Sequence, residues 1–438
     1  MITRLSEKLR NLFFWAFDHV TGGSVRSHLK DIEKIMSFSN AEMAVAISAR
    51  LTNILNYATS TTPFYFQYRG IEDIQQFPVL DKNSIRVKLD HLLSEEFTAK
   101  ERIPAITSGS TGTPFKTFQS KEKNSRNTAD TMFFANLAGY QLGNKLYYFK
   151  IWSEYNKKSK FRQYIQNIFP VDVLNLKSKA STVIDELNTN KRSVSLLGYV
   201  SAFETLCKEL DRGNRLDPKL KVQSIITMSE GLDDYTKQVG QKYFGCPVLS
   251  RYSNIENGIL AQQTLADPIN FLINRASYFI EILHIEKDEP VPNGVLGRII
   301  VTDFFNRVMP MIRYDTGDLG VKDIRSIEGV SQDVLTRIEG RKLDQIFNTR
   351  GELISSYIVY KNMWSYTEIE QYQFVQKGKR EYVFKISTPN KFEKEHQLVN
   401  EFKSYLGQDA VFKVEYVQEI PLLSSGKRKK VVNEMRNV

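Results

Sequence analysis

The stretch TSGSTGTPFK, Thr107 to Lys116, decides how the rest of the chain is read. It interleaves the hydroxyls of Ser108, Ser110 and Thr111 with Gly109 and Gly112, and closes on Thr113, Pro114 and Lys116. Glycines let backbone N–H groups approach an anion with no Cβ in the way, and hydroxyls add donors that rotate to fit, so the loop suits phosphate. A plain surface loop is the alternative for any Ser/Thr/Gly run. Ile103, Ala105 and Ile106 read as the end of a short strand, so the loop is expected to leave a sheet at its carboxyl edge. The Walker spacing G-x-x-x-x-G-K-[ST] fails, because Pro114 stands where the second glycine belongs.

The chain has 438 residues, 41% of them hydrophobic and 25% charged, which is ordinary for a globular protein with room for two or three cores. Sixty Lys and Arg against fifty Asp and Glu leave a net charge of +10, which favours anionic partners such as nucleotides, coenzymes, acidic sugars or a membrane surface. Zinc-finger spacings, a basic zipper and RNP-like aromatic motifs are absent from the sequence, so no nucleic-acid partner is expected. Cys207 and Cys246 are too few for a disulfide framework, which fits a reducing, cytoplasmic compartment. The five scattered histidines form no H-E-x-x-H pair.

Near the N-terminus, Arg4, Lys8 and Arg10 precede an apolar patch that Asp18 and His19 cut off well short of a membrane span. Ile2, Leu5, Leu9, Leu12, Phe13, Ala16 and Val20 follow helical spacing and make one apolar stripe beside a basic face. The stripe is expected to pack on its own domain. The alternatives are a contact with the inner face of the membrane and a homodimer.

From Ala41 to Ser94 the pattern is mainly helical, with Asp81 in FPVLDKNSIR (Phe77 to Arg86) capping a helix that begins near Asn83. Lys123 to Ala138 reads as a helix and Lys145 to Trp152 as a buried strand. The basic run Lys157, Lys158, Lys160 and Arg162 follows, either a solvated face or a seat for an anionic second substrate. Strands at Val194 to Leu197, Val222 to Thr227 and Val248 to Tyr252 then alternate with helices at Ala202 to Leu210 and Leu232 to Tyr243. That alternation predicts a parallel α/β sheet with function at the strands' carboxyl ends, where Ser229, Glu230, Ser253, Asn254 and Glu256 fall. No G-x-S-x-G elbow occurs there: around Ser229 the sequence is TMSEG, which argues against a serine hydrolase.

Phe279 to Ile285 and Leu296 to Thr302 read as further strands, after which RYDTGDLG places Asp318 at an expected tight turn. A carboxylate fixed there can accept two hydrogen bonds from a ribose diol. RIEGRKLDQI (Arg337 to Ile346) reads as a hinge, and about 100 residues of mixed α/β pattern follow, ending in PLLSSGKRKK with Lys427 directly after S-S-G.

Taken together, these segments resemble the adenylate-forming superfamily of acyl-CoA ligases, luciferases and nonribosomal adenylation domains. TSGSTGTPFK is similar to its phosphate loop, YSNIE to its Y-x-x-[ST]-E motif, YDTGD to its Y-R-T-G-D motif, GRKLDQ to its hinge and LLSSGK to its catalytic-lysine loop. More narrowly, TPFYFQY, FPVLDKNSIR, LLGYVSAFETL and GVLGRIIVTDFFNRVMPMIRYDTGDLG resemble phenylacetate:CoA ligases and their relatives in capsular polysaccharide gene clusters. The resemblance implies an α/β fold with a large N-terminal domain of sheets and helices, residues 1–340, and a small α/β lid, residues 341–438. It implies ATP, Mg²⁺, a small carboxylic acid, and as acceptor either CoA or an amine or hydroxyl, such as that of a surface-polysaccharide precursor.

By the same resemblance, Thr107, Glu256 and Lys427 serve catalysis, with Glu256 on Mg²⁺ and Lys427 between the substrate carboxylate and the α-phosphate. Ser108, Gly109, Ser110, Thr111, Gly112, Thr113 and Lys116 close on the β- and γ-phosphates. Ser229, Glu230, Tyr252, Ser253 and Asn254 complete the nucleotide site, Asp318 binds the ribose diol and Arg341 supports it. A non-catalytic nucleotide-binding or scaffold protein of the same fold is the alternative. The chain departs from the family pattern at Ile255, where Ser or Thr precedes the glutamate, at Leu343 in the hinge, and at YYFKIWSEYNKKSK, which replaces a glycine-rich stretch.

Overall fold

A computed structural model describes residues 6–107, 115–152, 159–341, 346–354, 357–363, 365–366, 368–421 and 428–435. Three helices come first: α1 (Glu7–Val20), α2 (Ser24–Met36) and α3 (Asn40–Thr61). Ser39 and Glu42 form a reciprocal capping box at the start of α3, satisfying N–H groups that the first turn leaves open. In α1 the apolar stripe faces outward, contrary to the packed arrangement that its spacing predicts. Leu12, Phe17 and Val20 are 66, 62 and 82% exposed, while Arg10 and Asp18 are the buried residues. Directional polar contacts decide this. The Asp18 carboxylate accepts the Val25 and Arg26 N–H groups at 3.1 and 3.0 Å, capping α2, whose own cap residue Gly23 has no side chain to offer. The Arg10 guanidinium donates to the Ile165 carbonyl at 3.1 Å and lies over the Tyr164 ring.

The short helix α4 (Lys82–Val87) begins at Asp81, whose carboxylate accepts the Ser84 N–H at 2.8 Å. Strands β1 (Ile103–Thr107) and β2 (Phe115–Gln119) form an antiparallel two-stranded sheet of their own, Thr107 facing Phe115. The glycine-rich stretch therefore connects a hairpin and does not leave the carboxyl edge of the main sheet. Burial alternates along β2, with Phe115, Thr117 and Gln119 inward and Lys116 outward, the period-two pattern of a strand with one face packed.

A run of alternating elements follows: α5 (Lys121–Leu137), β3 (Lys145–Lys150), α6 (Lys160–Gln166), β4 (Ile168–Asp172), α7 (Leu176–Asn188), β5 (Val194–Tyr199), α8 (Val200–Asp211), β6 (Val222–Met228), α9 (Asp234–Phe244) and β7 (Val248–Asn254). Strands β4, β3, β5, β6 and β7 lie side by side and parallel; the sequence pattern predicts this for β5, β6 and β7, and predicts β3 as a buried strand, but gives no strand at β4. Helices cover both faces. Tyr147, Phe149, Leu196, Phe203 and Leu206 share one core with α7 and α8, and Ala135 and Ala138 of α5 meet Ile226 and Leu249 on the other face. Antiparallel β8 (Gly258–Gln262), β9 (Phe271–Ile273), β10 (Tyr278–Leu283), β11 (Leu296–Asp303), β12 (Tyr314–Ile327) and β13 (Val330–Arg341) extend the sheet to eleven strands, in the order β10-β11-β12-β13-β9-β8-β7-β6-β5-β3-β4.

Beyond residue 345 the strands belong to other sheets. β14 (Ile346–Phe347) pairs with β15 (Leu353–Ile354), and α10 (Tyr357–Met363) leads to β16 (Gln371–Gln376), β17 (Glu381–Ser387), α11 (Glu395–Leu406), β18 (Val411–Tyr416) and β19 (Val431–Asn433). The four-stranded sheet runs β18-β17-β16-β19, around a core of Phe374, Phe384, Leu398, Phe402 and Leu406. No helix among the described residues is long and apolar enough to cross a membrane.

One ion pair ties α5 to the antiparallel half of the sheet. Lys123 Nζ lies 2.7 Å from Asp303 Oδ2 with both side chains fully buried, and donates to the Tyr278 hydroxyl at 3.0 Å. Removing one partner of such a pair strands the other charge, at a typical cost of about 3–5 kcal/mol, whereas replacing both by apolar groups is often neutral. Asp303→Ala is therefore expected to lower the unfolding free energy in urea by roughly that amount, and Lys123→Met with Asp303→Leu to recover much of it. Equal losses in the single and double variants would contradict a charge-based account.

Candidate functional site

The end of β7 and the start of β12 meet at one place, although about 60 residues of sequence separate them. After β7 the chain reverses through Asn254, whose side-chain oxygen accepts the Asn257 N–H at 2.8 Å, and through Gly258 at φ +124°. A Cβ at Gly258 would lie 2.6 Å from the Asn127 side-chain oxygen, so both backbone angle and space require glycine. The turn carries Glu256, which is 2% exposed. The Gln119 side-chain amide donates to the Ile255 and Glu256 carbonyls at 3.1 and 2.9 Å, so β2 of the hairpin is fastened to this turn.

Two groups meet the Glu256 carboxylate on its Oε1. The Tyr314 hydroxyl donates at 2.9 Å, and the Lys82 ammonium lies at 2.9 Å. Lys82 reaches it because the segment before α4 is zipped to the start of β12. Leu80 N–H donates to the Arg313 carbonyl at 3.0 Å, and Asp315 N–H to the Leu80 carbonyl at 2.9 Å. Arg313, buried and at φ +48°, is locked by Glu281 at 3.0 Å and by the Phe77 carbonyl at 3.0 Å.

Asp318 lies inside β12 at a bulge, not at a tight turn. Gly317 at φ +81° makes the irregularity, its N–H held by the Asp315 carboxylate at 2.8 Å. Thr316 accepts the Asp318 N–H at 3.2 Å and donates to the Ile299 carbonyl at 2.9 Å. The Tyr252 hydroxyl then donates to Asp318 Oδ2 at 2.8 Å. Burial and the facing carboxylates, Asp318 for Tyr252 and Glu256 for Tyr314, push both phenols well above their usual range, so both remain donors at neutral pH. A carboxylate offers about four lone-pair sites, so Asp318 keeps capacity for a diol beside Tyr252.

The other expected residues are placed as follows. Ser229 ends the β6 segment at φ +72°. The Glu230 carboxylate caps α8, accepting the Ser201 N–H at 2.7 Å and its hydroxyl at 3.2 Å. Ser253 and Asn254 close β7. Lys116 projects from the exposed face of β2 over the Phe118 ring at 4.6 Å. Thr107 and Arg341 end β1 and β13, Arg341 pairing through its backbone with Asp318. Ser108, Gly109, Ser110, Thr111, Gly112, Thr113, Lys427 and Leu343 lie outside the described residues, as do Lys157 and Lys158; Lys160 and Arg162 are exposed at the start of α6. Sequence reasoning missed Lys82, Tyr314, Thr316 and Gln119 as parts of this site. Lys82 had a visible signal, directly following the cap residue Asp81 in FPVLDKNSIR.

A single buried carboxylate fits Mg²⁺, which is usually held through one or two carboxylates with substrate phosphates completing its octahedron. Among the described residues no cluster of three or more His, Cys, Asp or Glu forms a protein-only cage. Lys82 competes for the same oxygen, and a charge-assisted hydrogen bond is worth about 1.5–3 kcal/mol. Lys82→Met is therefore expected to raise the ratio of ATP affinity with Mg²⁺ to that without it by roughly ten- to a hundredfold, read by calorimetry. An unchanged ratio would separate Lys82 from the metal position.

Beside this site the four-stranded unit touches the large one through charge. Lys430 of the small unit lies 2.9 Å from Glu204 on α8 and 3.8 Å from Asp233. Lys208 donates to the Glu370 carbonyl at 2.9 Å, while Lys177 and Arg212 each reach the Glu370 carboxylate at 2.8 Å.

Residues 346–434 match the CapK C-terminal domain family. The chain is similar to protein CapK of Staphylococcus aureus, 23% identical over 416 residues and covering 88% of each chain. Among solved structures it resembles 2-hydroxyisobutyryl-CoA ligase in the postadenylation state in complex with R3-HIB-AMP, with TM-score 0.70 and 17% identity over 92% of this chain and 91% of that one. It also resembles ATP-bound MatB from Rhodopseudomonas palustris, with TM-score 0.55 and 16% identity over 77% of this chain and 68% of that one. With its large mixed sheet and small C-terminal α/β unit, the chain has the fold of the adenylate-forming enzymes.

Proposed function

We propose that the chain is an ATP-dependent ligase that activates a small carboxylic acid as its acyl-adenylate and passes the acyl group to an acceptor. The observation that carries this reading is the meeting of Tyr252–Asp318 and Tyr314–Glu256 at the end of β7, with β2 of the hairpin fastened to the same turn through Gln119. In the first step a substrate carboxylate oxygen attacks the α-phosphorus, the bond to the bridging oxygen of the β-phosphate breaks, and pyrophosphate leaves. In the second an acceptor thiol, amine or hydroxyl attacks the acyl carbon and AMP leaves. Both steps need alignment and charge stabilisation more than covalent help from the protein.

Asp318 accepts the ribose hydroxyls while Tyr252 holds its carboxylate in place, with Arg341 as a further support. Ser108 to Lys116, with Thr107, close on the β- and γ-phosphates through backbone N–H groups and hydroxyls, and Ser229, Glu230, Ser253 and Asn254 border the base. Glu256 would hold Mg²⁺, and the ion would supply neutralisation of phosphate charge there. Lys427 sets its ammonium between the carboxylate and the α-phosphate. Residues 1–340 form the body and residues 341–438 a lid that turns about Arg341 to Asp344 between the two steps. The likeness to CoA ligases supports a thioester product, with an amine or hydroxyl acceptor as the alternative, and the likeness to CapK supports a place in capsule or O-antigen synthesis.

The outward apolar stripe of α1 supports a position at the inner face of the membrane, since Leu9, Leu12, Phe13, Phe17 and Val20 are all at least 50% exposed on a chain of net charge +10. A homodimer through the same stripe is the competing occupant.

Lys427→Ala is expected to slow acid-dependent pyrophosphate exchange by about 10²- to 10³-fold with ATP affinity nearly unchanged, whereas Asp318→Ala should weaken ATP binding itself by about 1.5–3 kcal/mol. Wild-type exchange in the lysine variant would overturn the role given to Lys427. For α1, vesicles of mixed neutral and anionic lipid should float the protein at low salt and release it in the Phe13→Asp, Phe17→Asp double variant. A variant that instead changes only the sedimented mass places a second copy on the stripe.

A further inference from the structure

Arg251 is the residue that the nucleotide site does not use. It is 8% exposed, on β7, between Ser250 and Tyr252. Successive side chains of a strand point to opposite faces, so Arg251 faces away from Asp318, which Tyr252 touches. Register fixes its neighbours. Leu197, Ile226 and Leu249 are cross-strand partners packed against α5, and two residues further on the same face carries Tyr199, Met228, Arg251 and Gln262, each opposite the next.

Among the described residues Arg251 makes one hydrogen bond, from Nε to the Gln262 side-chain oxygen at 2.7 Å, and no ion pair. Gln262 is itself fixed by donating to the Phe134 carbonyl at 2.6 Å, so it aims the guanidinium without neutralising it. Three other buried arginines differ, since Arg126, Arg298 and Arg313 each meet a carboxylate at 3.0 Å or less, and Arg275 lies 4.0 Å from Asp333; buried Arg10 meets the Ile165 carbonyl and the Tyr164 ring. A charge taken out of water with no counter-charge is costly, and the chain retains one here, one residue from the nucleotide site. Burial pushes its guanidinium down to about 10, against a small opposing pull from the Tyr148 phenol, and it is still charged at neutral pH.

We propose that Arg251 is a specificity residue for the acid substrate, and that this acid carries a second carboxylate, bound bidentately by the two terminal amino groups of the guanidinium. Those groups form the planar fork that matches a carboxylate, and they are what the Gln262 contact leaves over. The reacting carboxylate lies on the Tyr252 side of β7 and the second carboxylate on the α5 side, so the diacid passes the carboxyl end of the strand. The inference rests on the ligase reading given above, and it names the class of acid that such a site takes.

The test uses the full-length protein and the α,ω-dicarboxylates from malonate to adipate, each beside its monocarboxylate and ω-hydroxy acid of equal length. Pyrophosphate exchange reads activation, and calorimetry reads binding of the diacids directly. One diacid is expected to be preferred by wild type, and Arg251→Gln to lose roughly ten- to a hundredfold of that preference through KM, with monocarboxylates unaffected or improved. Arg251→Lys should keep part of it. Arg251→Met is expected to melt no lower than wild type, because it removes an uncompensated buried charge; a purely structural arginine would lower Tm instead. Preference for a monocarboxylate or hydroxy acid that survives Arg251→Gln overturns the proposal. Absence of exchange with every acid overturns the ligase reading alone, and calorimetry then decides on Arg251: diacid binding that the Gln variant loses upholds it, and no binding to wild type overturns it.

Discussion

The buried carboxylate of Glu256 is the constraint that the rest of the site obeys. An ionised acid at 2% exposure is tolerated only with partners, and its partners come from far away in sequence: Lys82 at the start of α4 and Tyr314 at the start of β12. Its backbone is held by Gln119 from the hairpin. Each partner brings its own element with it. The Leu80–Tyr314 bridge lays the α4 segment along β12, and the Phe115 ring of β2 stacks parallel to the Tyr314 ring at 6.4 Å. The hairpin with the glycine-rich connection, the β7–β8 turn and the YDTGD bulge are thus brought together by satisfying one charge.

The small unit is joined differently. Its interior is a cluster of stacked aromatic rings complete in itself, whereas its border with the large unit consists of ammonium and carboxylate groups. A polar border between two complete cores suits units that move against each other. Burial raises the Glu204 carboxyl, but the Lys430 and Lys208 ammonium groups outweigh it and hold it below the ordinary carboxylate range. Its contribution to the join is therefore in force above that range and fades as the pH falls below it, while Lys430, raised well above its usual value by Glu204 against burial, stays charged throughout.

What the sequence reveals of this molecule follows from which forces are local. Strands β3, β5, β6 and β7 were legible because buried strands are short apolar runs bounded by clear breaks; β4 was not, its five residues being interrupted by Pro170. Asp81 was legible as a cap because capping is a contact three residues long. The partnership of Lys82 with Glu256 was not, since the two stand 174 positions apart and neither pattern mentions the other. β2 was missed because Phe115 to Gln119 alternates over only five residues beside glycine and proline. The bulge at Asp318 was read as a turn because Gly317 at positive φ serves either. Helix α1 was read with the correct period and the wrong inward face, because the cap that Asp18 gives α2 and the anchor of Arg10 on Ile165 outweigh an apolar stripe with no neighbour to cover it.

The alternation of a strand explains how so short a segment presents different chemistry on its two faces. Along Arg251, Tyr252, Ser253 and Asn254 the side chains turn successively to the two faces of the sheet, and the phenol of Tyr252 is committed to Asp318. Arg251 must then face α5, where the parallel sheet's own packing has placed Leu249 and Ile226 immediately behind it. An arginine at the end of an apolar row is held by Gln262 and lies in register with Met228 and, one strand further, Tyr199. Charge on one face and a hydrogen-bonded phenol on the other therefore arise from a single dipeptide.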